Sequence, residues 1–410
     1  MKVLHINQSD TLGGAAIAGY RLHSALLKQG LDSKLFVGHK KTDDQRVAQV
    51  PRHEWFESQL QRFTHRAGFN YVNHISSFNI PKHPFFAAAD ILNFHNLHNS
   101  YFSYLAIPRL TTQKPAVFTL HDMWSFTGHC AYSYDCSKWQ TGCGQCPYPK
   151  TYPGIRHDST HWVWKLKDWV YNRSNLTIVT PSRWLTAQAK ASLLGRFPVH
   201  HIPNGVDPDV YQPLDRELCR TALGIPAEKR VLLFSAVDLT DLRKGGDLLV
   251  KALSQLPATL KQDCLLLTLG NPFKQLATSL DIPLMNLGYV SSDRLKSVAY
   301  SAADLSLFPT RADNLPLVLQ ESMSCGTPMV SFDIGGVPDL VRPGITGYLA
   351  QPEDIDGFGK GIADLLSDNE KCQAMRRDCR RITLEEYTLD LQAKRYQHLY
   401  QQVLDKMVTE

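Results

Sequence analysis

Two acidic residues bracket an apolar segment in the second half of the chain. Asp313 and Glu321 are separated by seven residues, and a proline, Pro316, leads into the apolar part. Proline suits the first turn of a helix and glycine commonly follows a helix end, so the pattern predicts a helix from Pro316 to Cys325 that stops at Gly326. Free N–H groups at such a helix start bind hydroxyls or phosphates, and a carboxylate accepts hydrogen bonds from adjacent hydroxyls. The segment is therefore a candidate site for a sugar or a ribose attached to phosphate.

The alternative is that both acids are ordinary surface residues. The helix dipole alone favours an acid near a helix start. For Glu321 this alternative is less attractive, because the same helix carries Leu317, Val318, Met323 and Cys325 and should be mostly buried. A nearly buried glutamate needs a partner or a ligand.

A basic pair precedes the predicted helix GDLLVKALSQL. Arg243 and Lys244 are followed directly by Gly245. Cations are unfavourable at a helix N-terminus unless an anion joins them, so a solvated basic pair is a poor explanation. We therefore expect this pair to bind an anionic ligand.

The N-terminal half offers less specific candidates. His121 follows the predicted strand in PAVFTLHD, beside Asp122, at the sheet edge where ligands bind, although a lone histidine is more often structural. Gly13 and Gly14 either let the backbone approach a ligand closely or simply form a tight turn. Arg183 is either a cation facing the ligand or part of a surface ion pair.

Four cysteines lie within seventeen residues, at Cys130, Cys136, Cys143 and Cys146. Four thiolates in a reducing compartment suit a tetrahedral structural zinc, which is our first expectation. The spacing is not that of the common zinc fingers, so two disulfides or an iron–sulfur cluster stay open as alternatives. In each case we expect the cluster to shape a loop and not to catalyse.

The order of predicted elements indicates how these residues are positioned. Short β-rich runs alternate with helical patterns, which predicts an α/β fold with parallel sheets covered by helices on both faces. The segment HHIPNGVDPDVYQPLD interrupts the alternation and is interpreted as a linker. We predict two doubly wound, Rossmann-like domains facing across a cleft. Their bounds are residues 1–202, with a cysteine-rich insert at 130–146, and residues 203–384, followed by one long helix at 385–410 that packs back on the first domain.

Composition is that of a globular enzyme. The chain has 410 residues, of which 43% are hydrophobic and 20% charged, which argues for two domains and against disorder. A net charge of +5 suits an anionic small molecule or a membrane surface, but it is too dispersed for a nucleic-acid partner. No run approaches the ~18 apolar residues of a membrane span. The start MKVLHINQSD is interpreted as a strand and not as a signal peptide, so a cytoplasmic protein is expected.

The segment HWVWKLKDWVYNR mixes aromatic and basic residues, as helices at membrane surfaces do. The favoured interpretation is an ordinary helix whose core face holds Trp162, Leu166, Trp169 and Val170. Peripheral contact with the inner face of a membrane is the alternative.

The stretch ADNLPLVLQESMSCGTPMVSFDIGGVPD resembles the donor-binding motif of retaining nucleotide-sugar glycosyltransferases of family 4, which have the GT-B fold. In that family the motif is two glutamates separated by seven residues, and here Asp313 replaces the first. The resemblance implies that Glu321 binds the ribose hydroxyls and that Asp313 contacts the donor sugar near its reacting carbon. It implies the following donor-binding residues: Gly14, Arg243, Lys244, Asp313, Asn314, Leu315, Leu317 and Glu321.

The resemblance extends over nearly the whole chain. GGAAIAGYRLHSALLKQG and TLHDMW are similar to the family's glycine loop and strand-end histidine, and the four cysteines to an insert in a subgroup of bacterial exopolysaccharide or colanic-acid type. It implies catalytic roles for His121, Asp313 and Lys244, and acceptor-side roles for Gly13 and Arg183. It departs from the family where an upstream arginine is missing, a place that Arg243 could fill.

The expected reaction is transfer of a sugar, with retention, from a nucleotide-diphosphate sugar to a sugar or lipid-linked acceptor. No Asp-x-Asp stands at a strand end to bridge a metal, so no cofactor is expected in catalysis. Two alternatives remain open: a GT-B sugar-nucleotide epimerase, and a non-catalytic partner subunit that binds nucleotide sugars.

Overall fold

The computed structural model describes residues 1–271 and 280–409. The chain forms two compact units. The first comprises Met1–Asn204 together with Asp390–Glu410, and the second comprises Gly205–Leu389.

The first unit is built on a seven-stranded sheet whose described pairings are all parallel. Its strands are β1 Lys2–Ser9, β2 Asp32–His39, β3 Val47–Gln49, β4 Ile91–Phe94, β5 Ala116–Thr119, β6 Thr177–Thr180 and β7 Val199–His201. Their order is β3-β2-β1-β4-β5-β6-β7, so the strand order reverses between β1 and β4. Strands β4 and β5 are buried at every position, as expected for a sheet covered on both faces. Ligands of open α/β sheets bind at the carboxyl ends beside such a reversal.

Six α-helices of the first unit precede the second unit: α1 Gly14–Lys28, α2 Glu54–Arg66, α3 Pro84–Ala88, α4 Ile107–Thr111, α5 Thr160–Tyr171 and α6 Arg183–Ala191. Short 3₁₀ helices span Ile75–Lys82, Tyr104–Ala106, Trp124–Phe126, Lys138–Gln140 and Leu193–Arg196. Because β7 begins at Val199, the two histidines that open HHIPNGVDPDVYQPLD belong to the sheet and not to a linker.

The second unit repeats the plan with six parallel strands: β8 Arg230–Asp238, β9 Cys264–Asn271, β10 Leu284–Asn286, β11 Leu305–Phe308, β12 Met329–Phe332 and β13 Gly347–Ala350. Their order is β10-β9-β8-β11-β12-β13, with the reversal between β8 and β11. The described helices are α7 Arg216–Leu223, α8 Gly246–Ser254, α9 Ala258–Asp263, α10 Asp293–Ala302, α11 Leu317–Ser324, α12 Ile355–Ser367 and α13 Asn369–Glu386, with 3₁₀ turns at Leu242–Lys244 and Val337–Asp339. The prediction of two doubly wound parallel-sheet domains is confirmed.

The predicted C-terminal helix is present and belongs to the first unit, but it begins at Leu389 and not at residue 385. Helix α13 ends at Glu386, and the last helix, α14, runs from Leu389 to Thr409. Tyr387 interrupts them because its hydroxyl donates to the carbonyl of Asp339 (2.9 Å) and its carbonyl accepts from the N–H of Val206 (2.8 Å). These two bonds hold Tyr387 in the second unit, immediately before the chain returns to the first unit.

Helix α14 is bound to the first sheet by two tyrosines. The hydroxyl of Tyr400 accepts from the Asn93 side chain in β4 (2.7 Å), and the hydroxyl of Tyr396 lies 3.0 Å from that of Thr119 in β5. Both tyrosines are buried. The helix therefore covers two central strands of the first unit.

The expected core face of helix α5 is confirmed only in part. Val170 is buried and Leu166 packs against the core, but Trp162 and Trp169 are exposed, and Val163 and Lys167 are buried in their place. Lys167 can occupy a core position because its ammonium group donates to the carbonyls of Trp124 and Thr127, the latter at 2.9 Å. Across the described residues, none of the helices is both long enough and apolar enough to cross a membrane.

Candidate active site

The basic pair of the second unit is positioned by a glycine. Arg243 and Lys244 end the 3₁₀ turn between β8 and α8, and Gly245 follows with a φ of 73°. A Cβ atom on Gly245 would lie 1.8 Å from the carbonyl oxygen of Pro309, just beyond β11. Only glycine permits both this conformation and this approach. The turn is thereby held against the carboxyl end of β11, beside the strand reversal.

Both cations converge on Asp313. The Lys244 ammonium lies 2.6 Å from Oδ2 of Asp313, and Nη1 of Arg243 lies 3.2 Å from the same oxygen. Nη1 of Arg243 also donates to the carbonyl of Ala312 (3.0 Å). Residues 69 positions apart thus form one compact group, and Asp241 adds a second acid to it through its ion pair with Arg243.

The charges in this group shift two pKa values. Burial alone would raise the pKa of Asp313, but the charges of Lys244 and Arg243 outweigh burial, so the pKa is lowered. Burial lowers the pKa of Lys244, and the charge of Asp313 opposes that shift without cancelling it. The second cation, Arg243, also disfavours the charged form of Lys244. With Asp241, which lies 3.4 Å from Nη2 of Arg243, the group has two cations and two acids, so a phosphate would bind through charge-assisted hydrogen bonds from Lys244 and Arg243.

The backbone of Asp313 is fixed by the Gly-Gly that follows β12. The N–H of Gly336 donates to the carbonyl of Asp313 (3.2 Å), and a Cβ atom on Gly335 would lie 2.1 Å from that oxygen. Gly335 has a φ of 56°, which also favours glycine. The sequence shows this Gly-Gly plainly, but its role in holding Asp313 depends on tertiary contact.

Glu321 lies on α11, whose N-cap is Pro316 and whose C-cap is Cys325. It is 4% exposed, and its Oε2 accepts from the hydroxyl of Tyr300 at 3.5 Å. The expectation that this acid is buried and partnered is therefore met. At the usual rise of ~1.5 Å per residue, it lies roughly 6 Å along the helix axis from Leu317.

The loop before α11 carries the other predicted donor-binding residues. Asn314 and Leu315 are buried, Leu317 is half-buried, and the backbone N–H of Asn314 donates to Oδ1 of Asp313 (3.0 Å). The N-terminal end of α11 therefore adjoins the group formed by Asp313 and the two cations. This juxtaposition of a helix start and two cations suits a phosphorylated ligand.

In the first unit, His121 is the end of a chain of three histidines. His5 Nδ1 lies 3.0 Å from His95 Nε2, and His95 Nδ1 lies 3.0 Å from His121 Nε2. The rings stack with centroids 5.2 and 5.3 Å apart. Strands β1, β4 and β5 are neighbours in the sheet, so the row of three histidines crosses the strand reversal and ends at the carboxyl edge of the sheet.

The histidine chain is neutral near pH 7. Burial is the main cause that lowers the pKa of His5 and His95 well below the usual value and that of His121 to about 4. His5 Nε2 is buried without a hydrogen-bond partner in the described structure. An unpaired N–H is more costly than an unpaired lone pair in such a place, which favours protons on the Nδ1 atoms along the chain. His121 would then carry its proton on Nδ1, a hydrogen-bond donor position.

Sequence reasoning missed two histidines that follow β4, His95 and His98. His95 joins the chain, and His98 Nε2 lies 2.9 Å from Oδ2 of Asp122. Oδ1 of Asp122 in turn accepts from the N–H of Trp124 (2.8 Å), which fixes the loop after His121. Two histidines three residues apart after a buried strand were the available signal.

The remaining candidates of the first unit are at helix starts. Gly13 is the N-cap of α1 with a φ of 87°, and a Cβ atom on Gly14 would meet no atom within 4 Å. Arg183 is exposed at the first position of α6, whose N-cap Ser182 accepts from Leu185 N–H at 3.0 Å. The space at Gly14 is compatible with a ligand approaching the α1 N-terminus.

The four cysteines of the insert are free and half-buried. The Cys143 sulfur accepts from Gly128 N–H (3.2 Å), and the Cys146 sulfur lies 3.2 Å from His129 Nε2. Within residues 1–271 and 280–409, no group of three or more His, Cys, Asp or Glu is arranged to hold a metal ion. The geometry gives the expected zinc site no support, and the disulfides considered as an alternative are not formed.

Comparison with known proteins identifies the class. The sequence profile described as "Glycosyltransferase Family 4" matches residues 12–210, and the profile "Glycosyl transferases group 1" matches residues 215–381. The chain is 28% identical over 357 residues to "Putative colanic acid biosynthesis glycosyl transferase WcaC" of Escherichia coli (strain K12), covering 81% of this chain and 83% of the relative.

Solved structures agree in fold. A sucrose-phosphate synthase from Thermosynechococcus elongatus aligns with a TM-score of 0.71 at 17% identity, over 99% of this chain and 100% of that one. Anabaena Alr3699/HepE in complex with UDP and glucose aligns with a TM-score of 0.70 at 17% identity, over 98% and 100%. The protein is a glycosyltransferase with the GT-B fold. More narrowly, the match of residues 12–210 and the colanic-acid relative support a glycosyltransferase of the family 4 type.

Proposed function

We propose that the protein transfers a sugar from a nucleotide-diphosphate sugar to an acceptor hydroxyl with retention of anomeric configuration. The observation that carries this proposal is the group formed by Lys244, Arg243 and Asp313 beside the start of α11. It combines two cations for a diphosphate with a carboxylate for sugar hydroxyls. Anabaena Alr3699/HepE was solved with UDP-glucose, which supports a donor of this kind.

Each residue then has a defined role. Lys244 and Arg243 stabilise the charge that develops on the leaving diphosphate, while Asp313 lies near the donor sugar. Glu321 accepts hydrogen bonds from the ribose hydroxyls. His121 donates from its neutral ring to a donor-sugar hydroxyl. The backbone N–H groups of the α11 start, at Asn314, Leu315 and Leu317, and that of Gly14 bind the donor, while Gly13 and Arg183 lie on the acceptor side.

Retention follows if departure and attack occur on the same face of the sugar. The bond from the anomeric carbon to the diphosphate oxygen breaks, and the acceptor oxygen bonds to that carbon. The acceptor proton passes to the leaving phosphate oxygen, so charge and atoms balance. No metal takes part, because the side-chain cations and the helix start provide the positive charge.

The acceptor is proposed to be a growing sugar or lipid-linked sugar of a bacterial exopolysaccharide. The colanic-acid enzyme of Escherichia coli, whose name states that role, supports this assignment over most of both chains. We propose that the reaction takes place in the cytoplasm.

A binding screen tests the donor assignment. Thermal shift is measured with UDP-, GDP- and ADP-sugars, and the sugar that stabilises the protein is then offered with an acceptor panel. Lys244→Gln should weaken donor binding at least about tenfold, because a charge-assisted bond to phosphate is worth about 1.5–3 kcal/mol. Lys251→Gln, at an exposed position on α8, is the matched control and should bind normally.

Three outcomes would contradict the proposal. If none of the nucleotide sugars stabilises the protein, the donor-site assignment is wrong. Turnover of the donor without an acceptor would support the epimerase alternative, and binding without turnover under any acceptor would support a non-catalytic subunit. Anomeric-proton NMR of the product reports retention directly.

A further inference from the structure

Helix α2 exposes large aromatic side chains. Trp55, Phe56 and Phe63 are 75%, 51% and 70% exposed. At 100° per residue their positions fall within about a 100° arc of the helix, and the exposed Arg62 and Arg66 lie on or beside that arc. This face therefore combines aromatic rings with cations.

Helix α5 shows the same combination. Trp162 and Trp169 are 60% and 47% exposed. The ammonium of Lys165 lies 5.5 Å from the centre of the Trp162 ring, and the guanidinium of Arg173 lies 4.3 Å from the centre of the Trp169 ring. Each exposed indole thus has a cation beside it.

The two helices meet within the first unit. The Ser159 hydroxyl, at the start of α5, donates to the carbonyl of Ala67, at the end of α2 (2.5 Å). Gly68 has a φ of 75°, and a Cβ atom there would lie 2.3 Å from the carbonyl oxygen of His157. The end of α2 and the start of α5 are therefore held together by direct contact. We call their exposed residues the α2–α5 surface: Trp55, Phe56, Phe63, Trp162, Trp169, Arg62, Arg66, Lys165 and Arg173.

This surface is distinctive within the chain. Among the Trp and Phe residues that the structure describes, the five exposed ones all belong to it. Its four cations have no carboxylate within ion-pair distance in the described structure, whereas Asp168 on α5 is already paired with Arg196. Exposed aromatic rings are unfavourable in water and mark an interaction surface, and the cations beside them favour an anionic partner.

We propose that the α2–α5 surface docks on the headgroup region of a bilayer that carries anionic lipids. Tryptophan and phenylalanine insert at the level of the headgroups, and basic residues are attracted to the negative surface. A second copy of the chain fits less well, because two such surfaces would bring eight unpaired cations together. This attachment goes beyond the transfer reaction, and vesicle binding can be measured without turnover.

The test is co-sedimentation of the full chain with vesicles. Binding is expected to vesicles of phosphatidylcholine with about 30% phosphatidylglycerol, to be much weaker to phosphatidylcholine alone, and to fall with added salt. Trp55→Ser with Phe63→Ser, and separately Arg62→Gln with Arg66→Gln, should each weaken binding about tenfold or more. Tryptophan fluorescence of the wild type should shift to the blue on binding.

Matched controls lie in the second unit. Leu218, 70% exposed on α7, is changed to Ser, and the exposed Arg294 is changed to Gln; both variants should bind like the wild type. Unchanged thermal melting shows that the surface variants are folded. Failure of the wild type to bind the anionic vesicles, or equal binding by the surface variants, would overturn the proposal. A dimer in sedimentation velocity that the aromatic variant dissociates would assign the surface to self-association instead.

Discussion

The ammonium of Lys244 lies 2.6 Å from a carboxylate oxygen of Asp313, and Arg243 shares that oxygen at 3.2 Å. The acid that resembles a donor-sugar contact is therefore also the anion that holds the two candidate phosphate-binding cations. Without a ligand, Asp313 and Asp241 neutralise the two cations. A bound diphosphate would add to a preformed arrangement of cations and would not have to assemble it.

Asp313→Asn should destabilise the second unit. Removing the acid leaves Lys244 and Arg243 largely buried beside each other without their shared anion, at a cost of about 3 kcal/mol. Urea unfolding measures the loss. The control is Asp281→Asn, whose carboxylate is 87% exposed and should contribute less than about 0.5 kcal/mol. Equal stability of the two variants would mean that the ion pairs do not hold the site.

The same acid predicts a dependence on pH. Its folded pKa is below the unfolded value, so its contribution to stability is present above the unfolded pKa of about 3.9. That contribution is lost as the pH falls through the lowered folded pKa. In Asp313→Asn, the acid-induced loss of stability in this range should be smaller than in the wild type. A loss of the same size in both proteins would contradict the assignment.

Gly245→Ala should destabilise the protein far more than alanine at another glycine of similar φ. A Cβ atom at Gly245 would lie 1.8 Å from the carbonyl oxygen of Pro309, so the turn carrying Lys244 must move. Gly224 has a φ of 70° against 73° for Gly245, but a Cβ atom there meets nothing within 4 Å. Gly224→Ala should therefore cost about 1–2 kcal/mol from backbone conformation alone.

The measurement for this pair is unfolding free energy together with donor binding. Gly245→Ala should lose more than about 3 kcal/mol or fail to bind the donor, because overpacking against backbone adds to the cost of conformation. Comparable stability and binding in the two alanine variants would show that the close approach is not needed.

The sequence alone predicts the two parallel sheets, because buried β-rich runs alternate with helical patterns of the required length. It does not predict the break between α13 and α14. Tyr387 leaves the helix because of bonds to Asp339 and Val206, which are distant in sequence. The sequence also does not predict which residues of α5 are buried, because a lysine, Lys167, occupies the core side and donates to backbone carbonyls.

The candidate site, like the fold, is predicted only in part by the sequence. Individual residues such as Lys244 and Glu321 can be selected by type and spacing, because helix starts and buried acids have known needs. Their assembly depends on strand order, which places the ends of β8 and β11 side by side. The histidine chain was missed for this reason, since His5 and His95 are 90 residues apart and become neighbours only in the sheet.

Glu321→Gln should weaken nucleotide-sugar binding while leaving the fold intact. Glutamine keeps an acceptor for the hydroxyl of Tyr300, but it loses the charge-assisted bonds to two ribose hydroxyls. A loss of about 2–3 kcal/mol, or roughly 30- to 150-fold in Kd, is expected by calorimetry. Glu353→Gln, at a 56% exposed acid, is the control. Normal affinity in Glu321→Gln would refute the ribose assignment without affecting the membrane proposal.

The histidine chain makes the first unit sensitive to mild acid. The folded pKa of His121 is about 4 and those of His5 and His95 are well below normal, whereas an unfolded histidine titrates near 6.5. Between pH 6.5 and 4 the unfolded chain therefore binds more protons than the folded one. Stability is full above pH 6.5 and falls as the pH decreases, by up to about 1.4 kcal/mol per pH unit for each histidine.

His121→Asn tests this relationship. Urea unfolding at pH 7, 6 and 5 should give a shallower loss of stability than in the wild type, because one group that the fold keeps neutral has been removed. His157→Asn, at an exposed histidine, is the control and should leave the slope unchanged. An unaltered slope in His121→Asn would mean that this imidazole binds as many protons in the folded protein as in the unfolded chain. The fold would then not hold it in the neutral form that the proposed sugar contact requires.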